Sequence, residues 1–192
     1  MFELFVRPVP AALVTGCLIV LYGAAANAGG DVGPDLQQGR REISVTGSPD
    51  FLGPTGDTLN VSAGYGVYVR DRLLVRASFI YNTVEDIAPG ENDFRAREAD
   101  IASEYHFDIG LVLVPYVGGE LGWRRSKWAS DVESGAIYGL RAGLKYFIAD
   151  NVAIDFAFSY KQSGSDVFIS DFEMRDYYPS FHFGLRAVLG GR

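Results

Sequence analysis

The chain has 192 residues, a formal charge of −7, 14% aromatic residues and 23 glycines, which is enough for one domain with a modest core and too little for two. The acidic balance excludes nucleic acid as a partner, because phosphate binding needs clustered Lys and Arg. So many aromatics and glycines beside only two methionines point to tightly packed β structure.

Residues 1–28 read as an export signal. Arg7 precedes an apolar run from Ala11 to Leu21, and Ala26-Asn27-Ala28 has the small-x-small spacing of a cleavage site, with the cut after Ala28. Two alternatives stand beside this. A membrane anchor would need a longer run to cross ~30 Å of hydrocarbon. Val14-Thr15-Gly16-Cys17 also passes as a lipobox, although the apolar run continues past Cys17 through Leu21. Removal of the signal takes Glu3, Arg7 and the sole cysteine together, so the exported chain keeps its charge and has no disulfide available. Residues 29–40 form a polar, Gly-rich lead.

From residue 41 to 192, period-two segments recur and no stretch has helical periodicity. They fall at about 41–49, 58–69, 72–83, 97–107, 113–124, 135–147, 152–162 and 175–189. The connections at 70–72, 108–113 and 149–151 are compact; those at 49–57, 84–96, 125–135 and 163–174 are longer and polar. Short turns at one end and long loops at the other predict an all-β, eight-stranded antiparallel up-and-down barrel with both termini at the short-turn end.

Each strand has an oily face and a face of glycine and charge. Val152, Ile154, Phe156, Phe158 and Tyr160 oppose Ala153, Asp155, Ala157 and Ser159; Phe181, Phe183, Leu185, Ala187 and Leu189 oppose His182, Gly184, Arg186 and Val188. An eight-stranded barrel has room inside only for packed side chains. Gly64, Gly66, Gly118, Gly122, Gly139, Gly143 and Gly184 all lie on the charged face, so that face is the narrow interior and the oily one looks outward, where lipid tolerates it. Outward Tyr81, Trp123, Tyr138, Tyr160 and Tyr177 fall near the long-loop ends, and Tyr105, Phe107 and Tyr146 near the short-turn ends, as two aromatic girdles would. A soluble, lipocalin-like barrel would instead place the aromatics inside and polar residues outside.

Charges in so narrow a lumen need partners. Counting from the short turns pairs Glu120 with Arg141, Asp155 with Arg186 and Glu104 with Arg76, with Lys145 and Glu98 as further members of one network; barrel shear can move each pairing by a residue or two. Such a network reads as a structural plug, with a narrow ion or proton path as the alternative. His106 and His182 fall on the lumen side and sit in no motif with Ser and an acid, so an enzymatic reading has little to stand on. No metal or cofactor signature is present. Lys127 and Trp128, near the long-loop rim, are within reach of a lipid headgroup.

The stretches "VPYVGGELGW" (114–123), "GLRAGLKYFIADNVAIDFAFSY" (139–160) and "SFHFGLRAVL" (180–189) resemble the OmpA/OmpX-like family of small outer-membrane β-barrels. The likeness covers nearly all of the exported chain. It implies location in the cell outer membrane, with lipid, lipopolysaccharide, periplasmic chaperones and the barrel-assembly machinery as partners. It also implies a structural, adhesive or envelope-integrity role with a host or cell-surface ligand met through the loops. His182, Gly184, Ala187 and Leu189 match the family's last-strand assembly signal, although this chain ends in Gly190-Gly191-Arg192 and not in an aromatic. The second reading that the resemblance opens is a lipid-modifying enzyme.

Overall fold

A computed structural model of the chain describes residues 36–47, 57–85, 94–128, 130–170 and 173–189. Residues 1–28, read above as an export signal, most of the polar lead and the last three residues lie outside this set, as do parts of all four long loops. Ten strands occur among the described residues: β1 (Arg41–Gly47), β2 (Asp57–Arg70), β3 (Leu73–Glu85), β4 (Phe94–His106), β5 (Leu113–Trp128), β6 (Asp131–Ala149), β7 (Val152–Ser163), β8 (Phe168–Ser170), β9 (Glu173–Arg175) and β10 (Tyr177–Leu189). Eight of them close into a barrel in the order β1-β10-β7-β6-β5-β4-β3-β2, every neighbour antiparallel, and β8 and β9 form a separate two-stranded hairpin.

The eight-stranded barrel expected from alternation is therefore the fold, with two differences. First, the wall is uneven. β5 and β6 have 16 and 19 residues where alternation ended at 124 and began at 135, while β1 has only 7. The segment "RSKWASDVESG" is mostly ladder, with Trp128 opposite Asp131, because cross-strand backbone pairing continues through charged residues that break the apolar alternation. Second, residues 163–174 are not merely a polar loop: Val167 and Phe168 are fully buried and begin the β8–β9 hairpin.

Burial is inverted relative to a water-soluble domain. Leu121 (68% exposed), Leu140 (67%) and Ile101 (61%) face out, whereas Arg186 (1%) and Glu104 (0%) are enclosed. The period of two produces this directly, since one residue of slip would exchange the faces of a whole strand. At the short-turn end, Arg72 adopts φ +67°, a left-handed conformation uncommon for a side chain of this size. Its amide donates to Leu36 O (2.9 Å), its carbonyl accepts from the His106 amide (2.8 Å), and its guanidinium pairs with Asp108 (2.9 Å).

Candidate functional site

Among the described residues the lumen holds six buried acids (Glu42, Glu98, Asp100, Glu104, Glu120, Asp155) and six buried bases (Arg76, Arg124, Arg141, Lys145, Lys161, Arg186), whose formal charges cancel. They lie in two tiers. In the tier nearer the short turns, Arg186 is the hub: Nη1 donates to Glu42 Oε1 (2.8 Å) and Glu104 Oε2 (2.7 Å), and Nη2 donates to Asp155 Oδ2 (2.8 Å) and the Tyr116 hydroxyl (2.9 Å). Around it, Arg76 pairs with Glu104 (3.1 Å), and Lys145 donates to Glu42 (2.6 Å), which also accepts from Tyr68 OH (3.0 Å). Tyr116 OH donates to Asp155 (3.0 Å) while accepting from Arg141 Nε (3.3 Å).

In the tier nearer the long loops, Glu98 sits between Lys161 and Arg124, the latter at 3.0 Å. Lys161 is also 3.6 Å from both Asp100 and Glu120. On the neighbouring wall, His182 Nε2 lies 2.9 Å from Ser159 Oγ and 2.9 Å from Ser180 Oγ, all three buried.

The sequence places Asp155 with Arg186 and Glu104 with Arg76, and each pair is in contact in the structure. Glu120 differs. Its cation is Lys161, while Arg141 lies 3.7 Å from Glu104 and 3.5 Å from Asp155. Register explains the change: Glu120 stands opposite Gly139 and Arg141 opposite Gly118, so the arginine reaches down into the lower tier and the lysine of β7 takes its place. Glu42, Tyr68, Tyr116, Arg124 and Lys161 belong to the network without having been singled out from the sequence. Alternation does signal Glu42, through Glu42-Ser44-Thr46 opposing Ile43-Val45, and puts Tyr68 in phase with Gly64 and Gly66 and Tyr116 in phase with Gly118 and Gly122, although an aromatic type on its own reads as outward.

Buried apolar side chains cluster at both ends of the barrel. At the short-turn end Leu36, from the polar lead, packs with Tyr68, Leu74, Val114, Phe147, Ala153 and Val188. At the long-loop end Val167 and Phe168 pack on Ile137 and Tyr178, with the Phe168 ring stacked on Tyr178. Lumen residues anchor this cap: Arg124 Nε (3.1 Å) and Ser126 Oγ (2.5 Å) both donate to Val167 O, and the Arg124 guanidinium lies 4.9 Å from the Phe168 ring centre. An apolar Val-Phe-Ile run inside an otherwise polar loop is the sequence signal for it.

On the outside, Trp123, Tyr138, Tyr105, Phe107 and Tyr146 are exposed, and Tyr81, Tyr160 and Tyr177 are half-buried; Tyr160 stacks on Tyr177 at 6.3 Å and Tyr105 meets Phe107 edge-on at 5.2 Å. In the last strand His182 points inward, Gly184 abuts the backbone of β1, and Ala187 and Leu189 face out. Among the described residues no group of three His, Cys, Asp or Glu side chains is arranged to hold a metal ion.

This architecture is similar to that of small outer-membrane barrels. The Neisserial surface protein A barrel superposes with a TM-score of 0.53 at 19% identity, over 77% of this chain and 94% of that one. The N-terminal barrel domain of Pseudomonas aeruginosa OprF gives 0.57 at 17% identity, over 79% and 98%. The Yersinia pestis outer membrane protein Ail, in a phospholipid bilayer nanodisc, gives 0.52 at 16% identity, over 79% and 100%. No protein-family model and no curated protein matches the sequence.

Proposed function

We propose that this chain, exported by residues 1–28, is an outer-membrane barrel protein with a structural or adhesive role, acting through its long loops and not through its lumen. The observation that carries this reading is the pairing of an apolar outer wall with an electroneutral, capped interior. Only hydrocarbon stabilises so many outward Leu, Ile, Phe and Val side chains, and a closed barrel leaves no backbone edge unsatisfied there. The outward aromatics at both ends serve as interfacial girdles. His182, Gly184, Ala187 and Leu189 act as the segment read by the assembly machinery, after periplasmic chaperones have carried the unfolded chain.

A lumen whose charges neutralise one another, closed by Leu36 below and Val167–Phe168 above, has no water-filled path. Protein extracted from membranes in detergent is expected to migrate differently on a gel with and without boiling, and to give no steady unitary conductance in planar bilayers. A well-defined single-channel step would replace the plug by a pore.

One contact favours the enzymatic reading: Ser159 and Ser180 both lie 2.9–3.0 Å from one another or from His182, the spacing of a base beside a hydroxyl nucleophile. Against it, no carboxylate among the described residues hydrogen-bonds His182, and the trio faces inward, under the cap and away from lipid. Lipid A from cells with and without the protein should give the same acyl pattern by mass spectrometry; a lost or added chain would move the function to this trio.

A further inference from the structure

Two neighbouring strands carry an unusual set of charges on the lipid side of the wall. Register places Arg97 directly opposite Arg125, and Arg95 directly opposite Lys127. All four are exposed and share the outward face with Ala99, Trp123, Ile101 and Leu121 below them. Directly opposed side chains on one face stand about 5 Å apart at Cβ, and successive same-face rows about 7 Å apart along the strand. Like charges so placed repel, which makes the Arg97–Arg125 row destabilising unless an anion sits beside it, whereas Arg95 already has an interaction of its own.

Among the described residues no carboxylate lies within ion-pairing distance of Arg97, Arg125 or Lys127. Tyr81, opposite Arg97 on β3, and Ser134, opposite Arg125 on β6, flank the quartet. These four are also the only cations on the outward face of the long-loop half of the wall among the described residues.

Height identifies the anion. From Phe107 up to Ala99 the outward face of β4 is almost wholly apolar, a run that at ~3.4 Å per residue and a tilt of ~40° is roughly 20 Å tall, close to the lipid-facing band of such barrels. Trp123 closes that band, and the Arg97–Arg125 row lies one row above it. The first polar layer beyond the acyl chains is the headgroup, and guanidinium groups in pairs match a phosphate bidentately.

Resting on the membrane reading above, we propose that Arg97, Arg125 and Lys127 form a binding site for the phosphate of an outer-leaflet lipid headgroup, of the kind that lipid A presents. The lipid's acyl chains would run down the Trp123, Leu121 and Ile101 face, so that one molecule is held by its charge above and its hydrocarbon below.

The test uses the full-length protein in detergent micelles, titrated with phosphorylated lipid A and with the same lipid dephosphorylated, and followed by tryptophan emission, which reports through Trp123 and Trp128, both on β5 beside the site. Wild type should bind the phosphorylated lipid at least about tenfold more tightly. R97Q/R125Q should lose that preference, whereas R41Q, at the opposite end of the wall, should keep it. Equal affinity of wild type and R97Q/R125Q for phosphorylated lipid A overturns the proposal. So does competition by inorganic phosphate or a soluble sulfated polysaccharide at the same concentration as the lipid, which would assign the site to a free anion. The same samples run on a gel with and without boiling separate the two readings: a wild type that does not shift overturns the membrane barrel and this site together, and a shifting protein indifferent to the lipid phosphate overturns the site alone.

Discussion

Replacing Arg186 by methionine is expected to remove most of the stability of the folded barrel. Its guanidinium holds Glu42, Glu104 and Asp155 at 2.7–2.8 Å, all buried, and its loss leaves six buried acids facing five buried bases among the described residues. Breaking one partner of a buried ion pair costs about 3–5 kcal/mol. A hub for three carboxylates belongs at or above the upper end of that range, against a total of about 5–15 kcal/mol for an ordinary domain. The urea midpoint of R186M refolded into vesicles should fall by more than half, or no heat-modifiable band should form at all. R186M/E104Q, which restores five acids to five bases, should recover a measurable part of the loss. An R186M midpoint equal to wild type would mean that the lumen is hydrated and that its charges do not carry the fold.

Substituting Gly184 by valine should block closure of the barrel at its seam. Gly184 on β10 stands opposite Thr46 on β1, and a methyl group added at Gly184 would meet the Val45 carbonyl and the Thr46 backbone and side chain. Overpacking against movable side chains costs about 1–3 kcal/mol, and a backbone carbonyl fixed in a ladder cannot rotate aside, so G184V should exceed that range and G184A approach it. The readout is the fraction of refolded protein that resists protease and shifts on boiling. G164A, where a methyl group meets nothing within 4 Å, is the matched control. A G184V protein that closes as well as G164A would show that the β1–β10 seam is looser than its register implies.

Several features of the molecule were legible without coordinates because each depends on a local period. Alternation over residues 152–160 and 181–189 divides Phe156, Phe158 and Leu185 from Asp155, His182 and Arg186, and the division holds in three dimensions because successive side chains of a strand must point to opposite faces. The placement of glycine on the charged stripe then decided which face is interior, since an eight-stranded circumference leaves space for little else. Compact turns alternating with long loops supplied the topology for the same reason: antiparallel neighbours need only short connections.

Contacts across the lumen were beyond that reach. Glu120 meets Lys161 and not Arg141, because barrel shear sets which residues share a level and a period of two carries no information about shear. Arg186 meets Glu42 across 144 residues, and Leu36 packs with Tyr68 and Phe147 at the short-turn end; neither follows from any spacing within a strand. Val167 and Phe168 read as part of a polar loop until Arg124 and Ser126, from β5, offer the donors that draw that backbone into the upper mouth. The cation quartet also needed register, which alone puts Arg97 opposite Arg125 and Arg95 opposite Lys127. The sequence by itself determined the eight wall strands, their two faces and the barrel, all consequences of side-chain alternation and interior volume. Only the tertiary structure decided which charges meet and which apolar side chains pack at each end, because those depend on the stagger of strands around a closed circumference.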